Sequence, residues 1–479
     1  MRLIFQTAFQ EARYMTIDQE RQEQLAPSRH LSLPPDFLWG TSTSAYQIEG
    51  ATRIDGRGPS IWDDFAALPG KIRQGANGDI ACDSYSRMQE DVDLMASMGL
   101  NAYCFSISWP RVLPDGRGAL NQAGLDFYER LVDALLARGI TPVAKLYHWD
   151  LPSALQAQGG WATRSTAHAF ADYAEIVAQR LGDRVDYWLT QNEPWCIAYL
   201  GHIIGVHAPG LKDAQLGVAV GHHVLLAHGL AVPRIRAHTR PSAQVGITID
   251  YYPMHAANLL PETREALLSA EAFRNRWFLE PLFKKRYPER LFADLGVAPP
   301  PMQPDDFDII ATPIDFLGLN YYSRWLVQSP SENGTPYEQI TDIPNASYTM
   351  LGWEIYPPGL LEMLQQIQRD YAPPALIVTE NGAAFPDSWD GEHVVHDLER
   401  THYLRQHVQY IEQAVAEGIP VKGYFAWSLL DNFEWAQGYG PRFGLVYVDF
   451  PSQKRVIKES GHWYTSFIAN QRKNDYPAG

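Results

Sequence analysis

Cysteine is scarce in this chain: Cys82, Cys104 and Cys196 are all there are in 479 residues. An odd set without metal-ligand spacing excludes a disulfide framework and reads as free thiols of a reducing cytoplasm. Basic charge is also short, with 39 lysines and arginines against 55 acidic residues and a formal charge of −16. A surface that grips nucleic acid needs a basic patch, so no nucleic-acid partner is expected. No apolar run approaches about 18 residues, so no membrane span is expected. No CxxC, HExxH, GxGxxG or P-loop pattern stands in a fitting context, so neither a metal nor another cofactor is expected. The first thirty residues lack the apolar stretch of a secretory leader; Glu11, Arg13, Asp18, Glu20, Arg21 and Glu23 are spread through them. They read as a polar extension over 1–30, with Met15 as an alternative start, before a folded domain over 31–472 and a short tail over 473–479.

What the chain does contain is an alternation. Apolar, strand-like runs fall at 37–42, 102–107, 141–146, 187–190, 245–249, 316–319, 375–379 and 421–426. Amphipathic stretches at 84–97, 122–137, 167–180, 221–238, 358–371 and 400–417 lie between them. Eight strands interleaved with helices predict a single α/β domain, a parallel (β/α)8 barrel. An open doubly wound sheet would alternate in the same way but usually carries a phosphate-binding glycine turn, which is absent. A minimal barrel needs about 250 residues. The excess is expected in extended loops, such as the proline-rich 298–305 and the polar 328–346.

In such a barrel the reacting groups gather at the carboxyl ends of the strands. Polar residues sort to that rim here. Gln47 follows the first strand and His148 the third; Asn192 and Glu193 follow the fourth; Asn320 and Tyr322 follow the sixth, and Glu380 the seventh. Trp427, Glu434 and Trp435 follow the eighth. Two carboxylates delivered from distant strand ends, Glu193 and Glu380, are what double displacement at a sugar carbon needs: one gives and takes a proton, the other attacks. A lone glutamate at a strand end is more often a solvated loop residue or an ion-pair partner. The joint occurrence carries the reading.

The chain resembles glycoside hydrolase family 1, the β-glucosidase and β-galactosidase family, over about residues 34–470. The likeness rests on Phe37-Leu38-Trp39-Gly40, Tyr46-Gln47-Ile48-Glu49-Gly50, Ser106-Ile107-Ser108-Trp109-Pro110-Arg111, Tyr147-His148-Trp149-Asp150, Asn192-Glu193-Pro194, Thr379-Glu380-Asn381-Gly382 and Asp431-Asn432-Phe433-Glu434-Trp435. It implies a (β/α)8 barrel that retains anomeric configuration, with Glu193 as acid/base and Glu380 as nucleophile. It also implies that Asn192 donates to the sugar 2-hydroxyl, and that Gln47, His148 and Glu434 clamp the sugar. Trp427 and Trp435 would supply apolar faces to the ring, and Tyr322, with Asn320 bracing, would support the nucleophile. Trp195, Trp325, Trp353 and Phe443 are candidates for the leaving-group side, with plain packing as an even alternative. The expected substrate is a small β-glucoside or oligosaccharide, with β-galactosidase or β-fucosidase activity alongside. A homo-oligomer is compatible with the sequence. Glu434 disfavours 6-phosphorylated substrates, whose enzymes in this family replace that acidic residue and add a lysine. Glu193 favours an O-glycoside, because plant thioglucosidases lack the acid/base.

One position departs. Where the family typically carries an arginine that lies beneath the nucleophile, this chain has Cys104. That arginine would hold the nucleophile's carboxylate and favour its charged form. A neutral thiol does neither, so the expectation is reduced turnover that Cys104→Arg would raise, with Cys104 as a tolerated small core residue the alternative. A glycan-binding barrel that has lost turnover also stays open, as does a phosphoglycosidase.

Overall fold

The computed structural model describes residues 33–330, 335–391 and 394–474. The expected extension at 1–30 lies outside the described residues, as does the end of the tail from 475. Eight parallel strands close into a barrel: β1 (Leu38–Ser42), β2 (Ala102–Ser106), β3 (Thr141–Lys145), β4 (Tyr187–Asn192), β5 (Gln244–Asp250), β6 (Phe316–Tyr321), β7 (Leu376–Asn381) and β8 (Val421–Trp427). Their order around the barrel is β1-β8-β7-β6-β5-β4-β3-β2, so each strand pairs with its neighbours in sequence and β1 closes on β8. All eight expected strands are present.

Helices wrap the outside: α1 (Ser84–Ser97), α2 (Gln122–Ala137), α3 (Arg164–Leu181), α4 (Ala214–His238), α5 (Pro358–Tyr371), α6 (Leu398–Ala416) and α7 (Glu459–Asn474). In α2, Leu125, Tyr128, Leu131, Val132 and Leu135 are buried, the spacing that lays one apolar stripe against a sheet. In α5, Pro358 opens the helix where a missing N–H costs nothing, and Leu360, Leu361, Met363, Leu364 and Ile367 face inward.

α4 is the one helix among the described residues long and apolar enough to cross a bilayer, and to that extent it departs from the sequence expectation. Three quarters or more of its apolar window is buried inside the protein, which marks a core helix. It packs along α3, and Asp213 caps it by accepting from the Leu216 N–H at 2.9 Å. Glycine lets it seat this deeply: a Cβ on Gly229 would stand 2.0 Å from the Ile309 carbonyl oxygen.

Inside the barrel, Leu38, Ala102, Cys104, Val143, Leu189, Phe316, Ile377 and Phe425 form a packed plug. Apolar packing stops above it. The residues of β2 and β3 one inward position further along are Ser106 and Lys145, which sit side by side in register. The loops expected as insertions hold little regular structure. The exception is a three-stranded sheet of Met254–Ala256, Trp325–Gln328 and Glu338–Ile340, which borders the barrel mouth.

Candidate active site

The two glutamates stand where two strands lose their register. Pairing of β4 with β5 slips between Leu189 and Asn192, and pairing of β7 with β6 slips between Val378 and Glu380. Such irregularities re-aim side chains near functional sites. Glu193 itself has φ +50°, and Trp149 and Trp435 have φ +80° and +46°. Each left-handed non-glycine residue costs about 1–3 kcal/mol and is held only because its surroundings dictate it. The Glu193 N–H is tied to the Thr248 carbonyl at 3.0 Å.

Both carboxylates line a cavity of about 440 Å³ at the barrel mouth, with His148, Trp195, Tyr322, Trp427, Glu434, Trp435, Trp353 and Phe443 among its walls. Glu380 is almost fully buried and bound on both oxygens: Tyr322 Oη donates to Oε2 at 2.8 Å, and Lys145 Nζ donates to Oε1 at 2.8 Å. Glu193 accepts from Asn320 Nδ2 at 2.5 Å on Oε1 and from the Cys196 thiol at 3.1 Å on Oε2. Burial, then the charge of Asp250, then that of Glu380 push its carboxyl well above the ordinary range. Glu193 is thus biased toward its protonated form. The cavity holds one carboxyl enclosed among acidic neighbours and one that an ammonium and a phenol meet.

Between them runs a connected set of amides. Lys145 Nζ also donates to Asn192 Oδ1 at 2.6 Å, and Asn192 Nδ2 faces His148 Nε2 at 3.2 Å. Thr379 Oγ1 donates to Asn320 Oδ1 at 2.7 Å, which turns the Asn320 amide N–H toward Glu193. Burial, and then Lys145, push His148 well below its usual value, so it is neutral.

Three expectations change on this geometry. Asn320 braces Glu193 rather than Glu380, because β6 delivers its amide between the two and Thr379 takes its oxygen. Gln47 stands behind the cavity wall: its Nε2 donates to Asn432 Oδ1 and the Phe433 carbonyl at 3.0 and 2.8 Å, and its Oε1 accepts from Ser44 at 2.6 Å. It holds the loop that carries Glu434. Cys104 lies buried in the barrel plug, its thiol pushed up by burial against the pull of Lys145. It does not leave Glu380 without a cation, because Lys145 supplies one from the neighbouring strand.

Glu434 keeps some exposure to the cavity, and enclosure together with the charge of Glu380 raises it to about 8. It is thus mostly protonated near neutral pH. Of the candidates for the leaving-group side, Trp195 and Trp353 line both the main cavity and an adjoining chamber of about 370 Å³; Trp325 lines only the chamber. Phe443 belongs to the main cavity, packed with Tyr322 and Trp427.

Sequence reasoning missed Lys145, Cys196, Asp250, Tyr252 and Arg274. Lysine inside the apolar run Val143-Ala144-Lys145-Leu146 was a readable signal, since a buried charge needs a partner. Arg274 pairs with Asp250 and stacks 3.8 Å from the Trp195 ring centre and 4.4 Å from that of Tyr252. It stands on the helical turn Ala272–Arg276 between β5 and β6, and no spacing announced it. Glu193, Cys196 and Asp250 come close enough to suggest ligands for a metal ion. Arg274 already neutralises Asp250, and burial holds the Cys196 thiol protonated, well above its usual value. The thiol donates to Glu193 at 3.1 Å and toward Asp250 at 3.6 Å.

The chain resembles known proteins over about nine-tenths of its length. The model of glycosyl hydrolase family 1 matches residues 29–473. Beta-glucosidase A of Thermotoga maritima is 45% identical over 444 residues, covering 92% of this chain and 99% of that protein. A bifunctional beta-D-glucosidase/beta-D-fucosidase of Bifidobacterium breve is 45% identical over 458 residues, covering 91% and 98%. Among solved structures, the beta-glucosidase from Thermotoga maritima in complex with glucoimidazole superposes with a TM-score of 0.89 at 44% identity, covering 92% of this chain and 99% of that one. The barrel, the paired glutamates at its rim and this agreement lead to one conclusion: the chain belongs to glycosyl hydrolase family 1 and is a glycoside hydrolase.

Proposed function

We propose that this chain is a retaining β-glucosidase that releases terminal non-reducing β-D-glucosyl residues by double displacement. The observation that carries the reading is the opposed surroundings of the two carboxyls: Glu193 pushed up by burial and by the charges of Asp250 and Glu380, Glu380 held by Lys145 and Tyr322. In the first step Glu380 attacks the anomeric carbon, the bond to the leaving oxygen breaks, and that oxygen takes the proton of Glu193. Esterification removes the charge of Glu380, one of the causes that raise Glu193, so Glu193 can now ionise. In the second step Glu193 takes a proton from water, the hydroxide oxygen bonds to the anomeric carbon, and Glu380 leaves as carboxylate. Asn192 and His148 face the sugar's hydroxyls, Trp427 and Trp435 its apolar face, and the chamber beside Trp195 and Trp353 takes the leaving group.

The name of the Bifidobacterium breve relative supports a β-fucosidase activity alongside. A 6-phosphoglycoside is disfavoured, since Glu434 stands where a cation would be wanted. The test is hydrolysis of nitrophenyl β-glucoside, β-galactoside and β-fucoside by the wild-type protein and by Glu380→Ala. The wild type should favour glucoside or fucoside, and the variant should lose roughly 10⁴-fold or more in kcat. Turnover that survives the substitution would refute Glu380 as nucleophile. No turnover by either protein would favour a glycan-binding barrel.

A further inference from the structure

Lys145 is wholly buried, its hydrogen-bonded partners among the described residues being Glu380 and Asn192. Its backbone pairs with Ser106 on β2 and Leu189 on β4. Cys104, one inward position lower on β2, pairs with Val143 and with Ser42 of β1. Burial pulls the ammonium down, but the charge and the hydrogen bond of Glu380 hold it up, so Lys145 stays charged. An ammonium has three donors and no acceptor. Asn192 can therefore meet it only with Oδ1, which sends its Nδ2 toward His148, a residue of the cavity wall. One buried cation thus fixes both the nucleophile's carboxylate and the direction of the amide that meets His148.

We propose that Lys145 is the positioning cation of the nucleophile in this chain, and that Cys104 and Lys145 act as one exchangeable pair, the small residue on β2 leaving room for the cation on β3. The inference rests on the reading of Glu380 as nucleophile. It reverses the expectation drawn from Cys104 alone. Arginine at 104 beside Lys145 buries two cations against one carboxylate, and burying a charge without a partner is costly.

The experiment is a double-mutant cycle of wild type, Lys145→Ala, Cys104→Arg and Cys104→Arg/Lys145→Ala, read as kcat and KM on an aryl β-glucoside across pH. Each single variant should lose roughly 10²-fold or more in kcat, and the double variant should regain at least about tenfold over the worse single. The groups facing Glu380 are Lys145 from β3, Cys104 from β2, Glu193 at the end of β4, Tyr322 after β6 and Glu434 after β8. Of these, Lys145 is the cation, so its loss should move the acidic limb of kcat/KM to higher pH, and the double variant should return it. Lys145→Ala should also narrow the preference for a glucoside over its 2-deoxy analogue, because the Asn192 amide is freed. Should Lys145→Ala fail to fold, Lys145→Met keeps the side chain's length without its charge and carries the same expectations.

Wild-type kcat and an unmoved acidic limb in Lys145→Ala or Lys145→Met would overturn the proposal. So would a Cys104→Arg enzyme as fast as wild type with Lys145 in place, or a double variant no better than either single. Glu380 is read separately, by adding azide to Glu380→Ala. Azide then bonds to the anomeric carbon as the aryl oxide leaves, and the α-configured glycosyl azide forms only if Glu380 is the nucleophile, whatever Lys145 does.

Discussion

At the scale of single residues, the site sets two carboxyls in unlike surroundings. After burial, the largest cause raising the Glu193 carboxyl is the charge of Asp250, ahead of that of Glu380. Asp250→Asn should therefore lower the pKa of Glu193, the more so because Arg274 would keep its positive charge with no carboxylate beside it. The basic limb of the kcat/KM profile should move to lower pH, with kcat reduced and the acidic limb in place. A basic limb unmoved or shifted upward would show that Asp250 does not act on the acid. At this scale the sequence was partly legible. Glu193, Glu380, Tyr322, His148 and the rim tryptophans stand in motifs at strand ends, and the cavity gathers them. Asp250, Arg274 and Lys145 act through partners far away in sequence. Spacing along the chain cannot show that Lys145 reaches Glu380 across 235 positions.

At the scale of elements, the ends of β7 and β8 are pressed together. A Cβ on Gly382, two residues beyond Glu380, would stand 1.8 Å from the Trp427 carbonyl oxygen. Gly382→Ala must therefore push apart the strand end that carries Glu380 and the one that carries the cavity tryptophan. It should cost about 1–3 kcal/mol, read as a lower denaturant midpoint, and kcat should fall with it. An unchanged midpoint and rate would mean that the two strand ends have slack. The strands were legible because each is a short, buried apolar run that must lie inside a closed parallel sheet. Their last residues were not: β4 runs on through Gln191 and Asn192, and β7 through Glu380 and Asn381. A hydrophobic pattern ends where function begins, and the strand continues past it.

At the scale of the whole molecule, one barrel supports both the chemistry and the loops that enclose it. Asp431 is fully buried and pairs with Arg442 at 2.7 Å and Lys458 at 2.6 Å, and Lys458 and Arg400 both reach Asp387. These pairs tie the loop bearing Glu434 and Trp435 to the loop after β7, to α6 and to the start of α7. Removing a member leaves a buried charge without its partner, so the network holds this rim in one arrangement. The barrel was legible from the alternation of strands and helices. The ionic network was not, because it joins charges that look like ordinary surface residues in sequence.

The account turns on Glu380 attacking carbon while Glu193 handles the proton, and the stereochemistry of the first product reports this most directly. Proton NMR of aryl β-glucoside hydrolysis, followed from the first turnovers before the sugar mutarotates, should show β-glucose appearing first and α-glucose only later. If α-glucose appears first, the reaction inverts, Glu380 acts as a base on water, and the double displacement described here is wrong.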